Sequence, residues 1–186
     1  MASPGLIVDR DGTLVEERGY ISNPGDLVVL PGVADALARV KEAGAVVIVV
    51  TNQSAVGRGF VTEAELAALH ERLRPLGIDA FYSCPHLPDE GCECRKPKPG
   101  LILRAVSECD VDRERALVVG DHLTDCLAGR AAGLPAVLLR SGHGQDHVAA
   151  ADVHGFPIAD DLPAAADLFL SRLGSGMSEP VRGETP

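Results

Sequence analysis

Five short aliphatic runs constrain the fold of this 186-residue chain more than any other feature. They are GLIVD (5–9), AVVIVVT (45–51), AFYSC (80–84), ALVVG (116–120) and PAVLL (135–139). Most lack the alternating polarity of a half-exposed sheet, so they read as strands covered on both faces. Helix patterns separate them. Val33, Leu37 and Val40 share one face of a first helix. A second starts at Thr62, with Glu65 placed for a capping box, carries Leu66, Leu69 and Leu73, and stops at Pro75. A third opens at Pro99, a fourth spans about Leu123 to Gly133, and a last follows Pro163. This alternation predicts an α/β fold, a parallel sheet flanked by helices on both faces. The length fits one domain, expected over 1–173 and followed by a mobile tail from Gly174 rich in Gly, Ser, Glu and Pro.

In open parallel sheets, ligands bind beyond the carboxyl ends of the strands. The first run ends in Asp9-Arg10-Asp11-Gly12-Thr13, the second in Thr51-Asn52-Gln53-Ser54, the fourth in Gly120-Asp121-His122-Leu123-Thr124-Asp125. Any one such residue could simply cap a turn or a helix. Three strand ends delivering carboxylates and hydroxyls to one edge describe a site. Two carboxylates two residues apart, joined by a third from another strand, suit Mg²⁺. A metal so held awaits a phosphate, whose charge it offsets. Asp9 or Asp11 is then placed to attack phosphorus, and the other to act as acid and base. Thr51 and a lysine would hold the phosphoryl oxygens. Lys41 lies mid-helix, which leaves Lys96 and Lys98 as candidates for that cation.

Both fall in CPHLPDEGCECRKPKPG (84–100), which carries three cysteines and a histidine. The stretch could be a metal clip, a redox switch or part of an active site. Cys92 and Cys94 are one residue apart, unlike the C-x-x-C of a thioredoxin-like site. The N-terminus lacks a signal-peptide pattern, and no apolar run approaches a membrane span. The expectation is a soluble, cytoplasmic protein whose cysteines are thiols or metal ligands rather than disulfides. Cys109 and Cys126 fall in predicted helices and read as small core residues. The balance of 17 basic to 27 acidic residues disfavours nucleic acid as a partner. A small anion in a local basic pocket remains allowed. His143 and His147 read as surface residues and receive no role.

VDRDGT, VVTNQS, the lysine of CRKPKPG and VVGDHLTD, in that order, resemble the motifs of the haloacid dehalogenase superfamily of phosphohydrolases. The resemblance implies a Rossmann-like fold, a Mg²⁺ cofactor and an aspartyl-phosphate intermediate. Position by position, Asp9 resembles the nucleophile and Asp11 the general acid/base, and Thr51 and Lys96 match the phosphoryl-stabilising residues. Asp121 matches the acidic Mg²⁺ ligand, joined by Asp9 and the Asp11 backbone carbonyl. Asp125 would orient that cluster from outside it. The nearest resemblance is to the capless branch of D-glycero-D-manno-heptose 1,7-bisphosphate 7-phosphatases and histidinol-phosphate phosphatases. That branch carries a zinc loop just before its Arg-Lys pair, which implies Cys84, His86, Cys92 and Cys94 as ligands of a structural Zn²⁺. Three thiolates and one imidazole also make a closed tetrahedral set.

RGYI (18–21) and TNQSAVGRGFVTEAEL (51–66) resemble the heptose enzymes. There Gly19, Tyr20, Asn52, Gln53 and Ser54 would line the sugar site. Arg95 would set a guanidinium fork on the second phosphate or the hydroxyls. His122, also expected to contact substrate, stands where heptose enzymes often have lysine, and the short zinc loop resembles the histidinol-phosphate enzymes. Arg58 reads as a flexible charge on a glycine-rich loop. The function expected is removal of the 7-phosphate of a heptose bisphosphate, with histidinol phosphate as the alternative substrate. The chain is expected to be a monomer, with no membrane partner. The intact set of Asp9, Asp11, Thr51, Lys96 and Asp121 argues against a catalytically silent zinc-stabilised interaction module. The acidic balance and the scarcity of aromatic residues argue against a polynucleotide 3′-phosphatase.

Overall fold

The structure, a computed structural model, describes residues 1–175. Its strands are β1 (Ser3–Val8), β2 (Val46–Asn52), β3 (Ala80–Cys84), β4 (Val111–Gly120), β5 (Ala136–Leu139) and β6 (Ile158–Ala159). Its α-helices are α1 (Val33–Glu42), α2 (Ser54–Gly57), α3 (Glu63–Leu73), α4 (Gly100–Glu108), α5 (Leu123–Ala131), α6 (Gly144–Val153) and α7 (Leu162–Ser175). The strands form one sheet in the order β3-β2-β1-β4-β5-β6, every pair parallel. The expected α/β architecture is therefore present. No helix among the described residues is long and apolar enough to cross a membrane.

Side-chain alternation divides the core into two layers. Leu6 and Val8, Val47 and Val49, and Leu117 and Val119 point to one face, with Leu37 of α1, Leu69 of α3 and Phe169 of α7. Ile7, Ile48, Val50 and Val118 point to the other, with Ile102 of α4, Cys126 of α5 and Ala151 of α6. β1, β2, β5 and the second half of β4 bury both faces, which is why their sequences are continuously apolar. A buried Leu or Ile contributes about 1.5–3 kcal/mol, so the two layers together hold the sheet from both sides. Cys126 is buried as expected, whereas Cys109 caps α4 and is only partly buried.

The register places the site. Val8 pairs with Val49 on one side and Val119 on the other. The chain therefore leaves β1, β2 and β4 at one level of the same edge, and Asp9, Thr51 and Asp121 emerge together.

All five expected strands and all five expected helices are present, and the differences have physical causes. Thr62 and Glu65 form the full capping box, and Pro75 falls in a short 3-10 turn after α3. The first half of β4, Asp112-Arg113-Glu114-Arg115, is polar and lies beside a register shift against β1, so apolar periodicity cannot reveal it. Strand β6 has two residues and α6 buries only Gly144 and Ala151, too little for a periodic signal. Helix α7 includes Gly174 and Ser175, which the sequence reading put in the tail; positions 176–186 of that tail lie outside the described residues. Asp161 opens α7 by accepting from the Ala164 N–H at 3.0 Å.

Candidate active site and the neighbouring cysteine cluster

A cavity of about 310 Å³ opens at the carboxyl edge of the sheet, with Asp9, Asp11, Thr51, Lys96, Asp121 and Asp125 in its wall. A more apolar cavity of about 340 Å³ lies elsewhere, lined by Leu117, Pro135, Phe156 and Leu168, and holds none of these carboxylates. The Asp9 N–H donates to the Val119 carbonyl at 3.0 Å, which ties the first carboxylate to β4 as it leaves β1.

Lys96 is the buried cation of the site. Its Nζ lies 3.0 Å from Asp9 Oδ1 and 2.6 Å from Asp125 Oδ1, and it donates to the Val50 carbonyl at 2.7 Å. The ammonium, with three protons to give, is thus surrounded by two carboxylates and a carbonyl. Burial alone would lower the ammonium pKa; Asp125 and Asp9 outweigh it and raise the pKa above the usual lysine value. Lys96 therefore stays charged. Asn52 fixes its backbone from the end of β2, accepting from the Lys96 N–H at 3.1 Å and donating to the Lys96 carbonyl at 3.2 Å.

Asp11 is held differently. Arg10, a buried arginine, donates to its two oxygens at 3.0 and 2.8 Å, and Gln53 Nε2 donates to Oδ2 at 2.7 Å. Gln53 also donates to Thr51 Oγ1 at 2.9 Å and accepts from Arg10 at 3.0 Å. One network thus couples the ends of β1 and β2. Burial raises the Asp11 carboxyl pKa despite the adjacent guanidinium.

Asp121 sits in a cradle made by two glycines. A Cβ on Gly12 would come within 2.1 Å of Asp121 Oδ2, and one on Gly142 within 2.2 Å; both glycines have positive φ. Ser141 Oγ closes the cradle by donating to the Gly12 carbonyl at 2.7 Å, and the His143 N–H donates to Asp121 Oδ2 at 2.8 Å. Burial pushes the Asp121 carboxyl up to about 8, with Asp9 adding repulsion. Asp125 accepts from the His122 N–H at 2.9 Å, as part of the capping box of α5, and burial pushes it up to about 6.

Asp9, Asp121 and Asp125 each bring a carboxylate oxygen within 4.8 Å of the others. The sequence reading set Asp125 outside the metal ligands and used Asp11 through its carbonyl. In the structure the Asp11 side chain is turned to Arg10 and Gln53, while Asp125 joins the cluster with its oxygens facing Lys96 and the His122 N–H. Three clustered carboxylates, of which Asp9 and Asp125 pair with the one ammonium, leave surplus negative charge, and the pKa values of Asp121 and Asp125 are pushed upward. That imbalance fits a divalent cation with oxygen ligands.

The cysteine cluster lies on the loop that leads into Lys96. Cys84 Sγ is 3.6 Å from His86 Nδ1, 3.7 Å from Cys92 Sγ and 3.2 Å from Cys94 Sγ. Cys94 Sγ is 3.1 Å from His86 Nδ1 and 3.4 Å from Cys92 Sγ. Ligands bound tetrahedrally to one zinc ion stand about 3.5–3.8 Å apart. Five edges of the tetrahedron therefore match or fall slightly short of that spacing, and the residues fit the metal. Arg95 donates to the His86 carbonyl at 3.2 Å and lines the cavity, so cluster and site share one loop. The Gly57 N–H donates to the Pro85 carbonyl at 3.1 Å, and a Cβ on Gly57 would meet that oxygen at 2.5 Å.

Of the residues expected to contact substrate, Asn52, Arg95 and His122 line the cavity. Gly19, Tyr20, Gln53 and Ser54 are not in its wall. Tyr20 is exposed and its ring packs on Phe60, with centroids 5.1 Å apart. Gln53 is committed to the network beneath, and Ser54 opens α2. Lys98 points away, paired with Glu93 at 2.8 Å. Glu17, Thr124 and His143 line the cavity without having been foreseen. Reading the end of the fifth run by the same edge rule would have found His143; Thr124 lay inside a motif already quoted. His147, given no role, packs its ring against His122 at 3.9 Å.

The fold and the site define a hydrolase class, and the chain belongs to it: the haloacid dehalogenase-like hydrolase family matches residues 8–133. More particularly, the chain is 41% identical over 168 residues to the D-glycero-beta-D-manno-heptose-1,7-bisphosphate 7-phosphatase of Pseudomonas putida, covering 87% of this chain and 96% of the relative. To the enzyme of the same name in Pseudomonas aeruginosa it is 38% identical over 172 residues, covering 89% and 97%. The crystal structure of D,D-heptose 1,7-bisphosphate phosphatase from B. bronchiseptica, complexed with magnesium and phosphate, superposes with a TM-score of 0.83 at 35% identity, covering 92% of this chain and 99% of that one.

Proposed function

We propose that the chain is a magnesium-dependent phosphomonoesterase that removes the 7-phosphate of D-glycero-D-manno-heptose 1,7-bisphosphate. The observation that carries this reading is the meeting of Asp9, Asp121 and Asp125 at one sheet edge, with Lys96 paired to Asp9 and Asp125, in a chain aligned almost end to end with heptose bisphosphate phosphatases.

Asp9 is the nucleophile. Its carboxylate oxygen bonds to phosphorus while the bond from phosphorus to the sugar oxygen breaks, leaving an aspartyl-phosphate. Asp11, raised in pKa by burial, supplies a proton to the departing oxygen. It then takes a proton from the water that attacks phosphorus, which releases phosphate and restores Asp9. Lys96 and the Thr51 hydroxyl hold the phosphoryl oxygens as charge moves among them. Arg10 and Gln53 keep Asp11 aimed; Asn52 does the same for Lys96. Asp9, Asp121 and the Asp11 carbonyl would hold Mg²⁺, whose charge offsets that of the phosphate. Asp125 orients Lys96.

Cys84, His86, Cys92 and Cys94 hold a structural Zn²⁺ in this reading, fixing the loop that carries Arg95 and Lys96. Arg95 and His122 face the remainder of the substrate. The reading takes residues 1–173 as one phosphatase domain with α7 extending just past it, acting as a capless cytoplasmic monomer.

The test is a side-by-side kcat/KM measurement with magnesium on both anomers of heptose 1,7-bisphosphate and on histidinol phosphate. The reading expects the bisphosphate to be preferred at least about tenfold, a gap of about 1.4 kcal/mol in transition-state binding. Preference for histidinol phosphate would replace the substrate, and no turnover of any phosphate ester would remove the enzyme.

A further inference from the structure

The ring of His122 lines the site cavity, and two separate elements restrain it. The first is its own helix. His122 caps α5, its Nδ1 accepting from the Thr124 N–H at 3.3 Å and from the Thr124 hydroxyl at 3.0 Å. A backbone N–H can only donate, so Nδ1 carries no proton and the ring proton sits on Nε2. Among the described residues Nε2 has no hydrogen-bond partner. His122 therefore brings a free, neutral donor to the cavity wall.

The second restraint comes from α6. Gly144 opens this helix, and a Cβ there would overlap the Leu139 carbonyl, so the first turn is pressed onto the end of β5. His147 follows three residues later, on the same side of the helix. Its ring centroid lies 3.9 Å from that of His122, with the planes 56° apart. Aromatic pairs usually stand about 4.5–7 Å apart, so this contact is a close one. His147 is not in the cavity wall, and among the described residues its ring nitrogens have no hydrogen-bond partner. The χ2 torsion of a histidine is broad, so capping alone leaves the His122 ring room to swing. His147 closes that room.

We propose that His147 is a positioning residue: packed against His122 from α6, it holds the Nε2–H in line for an acceptor oxygen of the substrate beyond the reacting phosphate. The proposal rests on the phosphatase reading above, in which His122 faces the remainder of the substrate. It extends the active site to α6, which lies outside the residues 8–133 matched by the family. The contact needs a flat ring rather than an imidazole nitrogen, since His147 uses neither of its own.

The test compares wild type, His147→Ala, His147→Phe and His122→Ala in kcat and KM for heptose 1,7-bisphosphate with magnesium. His147→Ala is expected to raise KM about fivefold with kcat changed less than about twofold, the signature of lost ground-state binding. His147→Phe keeps a flat ring against His122 and should return KM to within about twofold of wild type. In a His122→Ala background, His147→Ala should change KM less than about twofold, because residues in contact do not act additively. An unchanged KM in His147→Ala would overturn the proposal. So would failure of phenylalanine to rescue, which would give His147 a chemical role of its own, or a full effect of His147→Ala in the absence of His122. Should His147→Ala not fold, long-range proton–nitrogen NMR of the wild type decides. The proposal requires the proton of His122 on Nε2, and a proton on Nδ1 would overturn it. The phosphatase reading fails separately, in the wild type, if the bisphosphate is not turned over; the same comparison then runs on whichever phosphate ester is hydrolysed. If none is, both fall.

Discussion

The cysteine clip and the acidic rim are two metal-fitting clusters with opposite constructions. The clip draws Cys84 from the end of β3 and His86, Cys92 and Cys94 from the loop that follows, so its ligand atoms are close in sequence as well as in space. The rim draws Asp9 from β1 and Asp121 and Asp125 from β4 and α5, residues more than a hundred positions apart. It exists only because Val8 pairs with Val119 in parallel register. One cluster is local in sequence; the other needs the sheet. The two meet at Arg95 and Lys96, where the clip's loop delivers the cation that the rim's carboxylates require.

The contrast makes predictions of graded size. Asp9→Asn should lower kcat by on the order of a thousandfold or more, since nothing else near phosphorus replaces the nucleophile. Its Tm should hold or rise, because one of three crowded carboxylates loses its charge. Wild-type turnover in this variant would break the rim's assigned chemistry. Gly142→Ala should come next. Its Cβ would strike Asp121 Oδ2 from a backbone with φ +55°, so magnesium affinity should fall by about 10–100-fold. Zinc content should be unchanged, as titration calorimetry and metal analysis would report.

Cys92→Ser should do the reverse. Zinc should be lost, Tm should fall by several degrees and kcat/KM by about tenfold, while magnesium dependence of the residual activity stays put. If magnesium affinity collapsed as well, the two clusters would not be separable. The smallest effect concerns pH. The Asp121 carboxyl is raised to about 8 from an ordinary value of 3.8, so between those values the folded, metal-free protein holds a proton that the unfolded chain has released. Stability of the metal-free protein should therefore fall as pH rises through that window. Magnesium binds the charged form, so its stabilising shift in Tm should be larger at pH 8 than at pH 5, and equal shifts would contradict the pKa assignment.

The same contrast explains what could be read from the sequence. The clip's four residues were picked out through the resemblance to the zinc loop of the capless branch, and the structure brings their ligand atoms together. The strand ends were legible because doubly covered strands are unbroken apolar runs, and the edge rule then gathers Asp9, Thr51 and Asp121. What escaped depends on tertiary approach. Nothing in the sequence announces that Gly142 backs Asp121, that Ser141 ties to Gly12, or that Asp125 enters the cluster while the Asp11 side chain leaves it. Tyr20 was expected in the sugar site from its motif, but its ring lies on Phe60 outside the cavity wall. Helix α6 was missed for the opposite reason: alanine-rich and shallowly buried, it leaves almost no periodic trace.

The central claim is that Asp9 carries the phosphoryl group between substrate and water. A single turnover with heptose 1,7-bisphosphate and magnesium, quenched in acid and mapped by peptide mass spectrometry, tests it directly. The account predicts one phosphoryl group on the peptide containing Asp9, acid-stable and labile to hydroxylamine, and none in Asp9→Asn. Phosphate release at full rate from the Asp9→Asn variant, or a phosphoryl group mapped to any other residue, would contradict it.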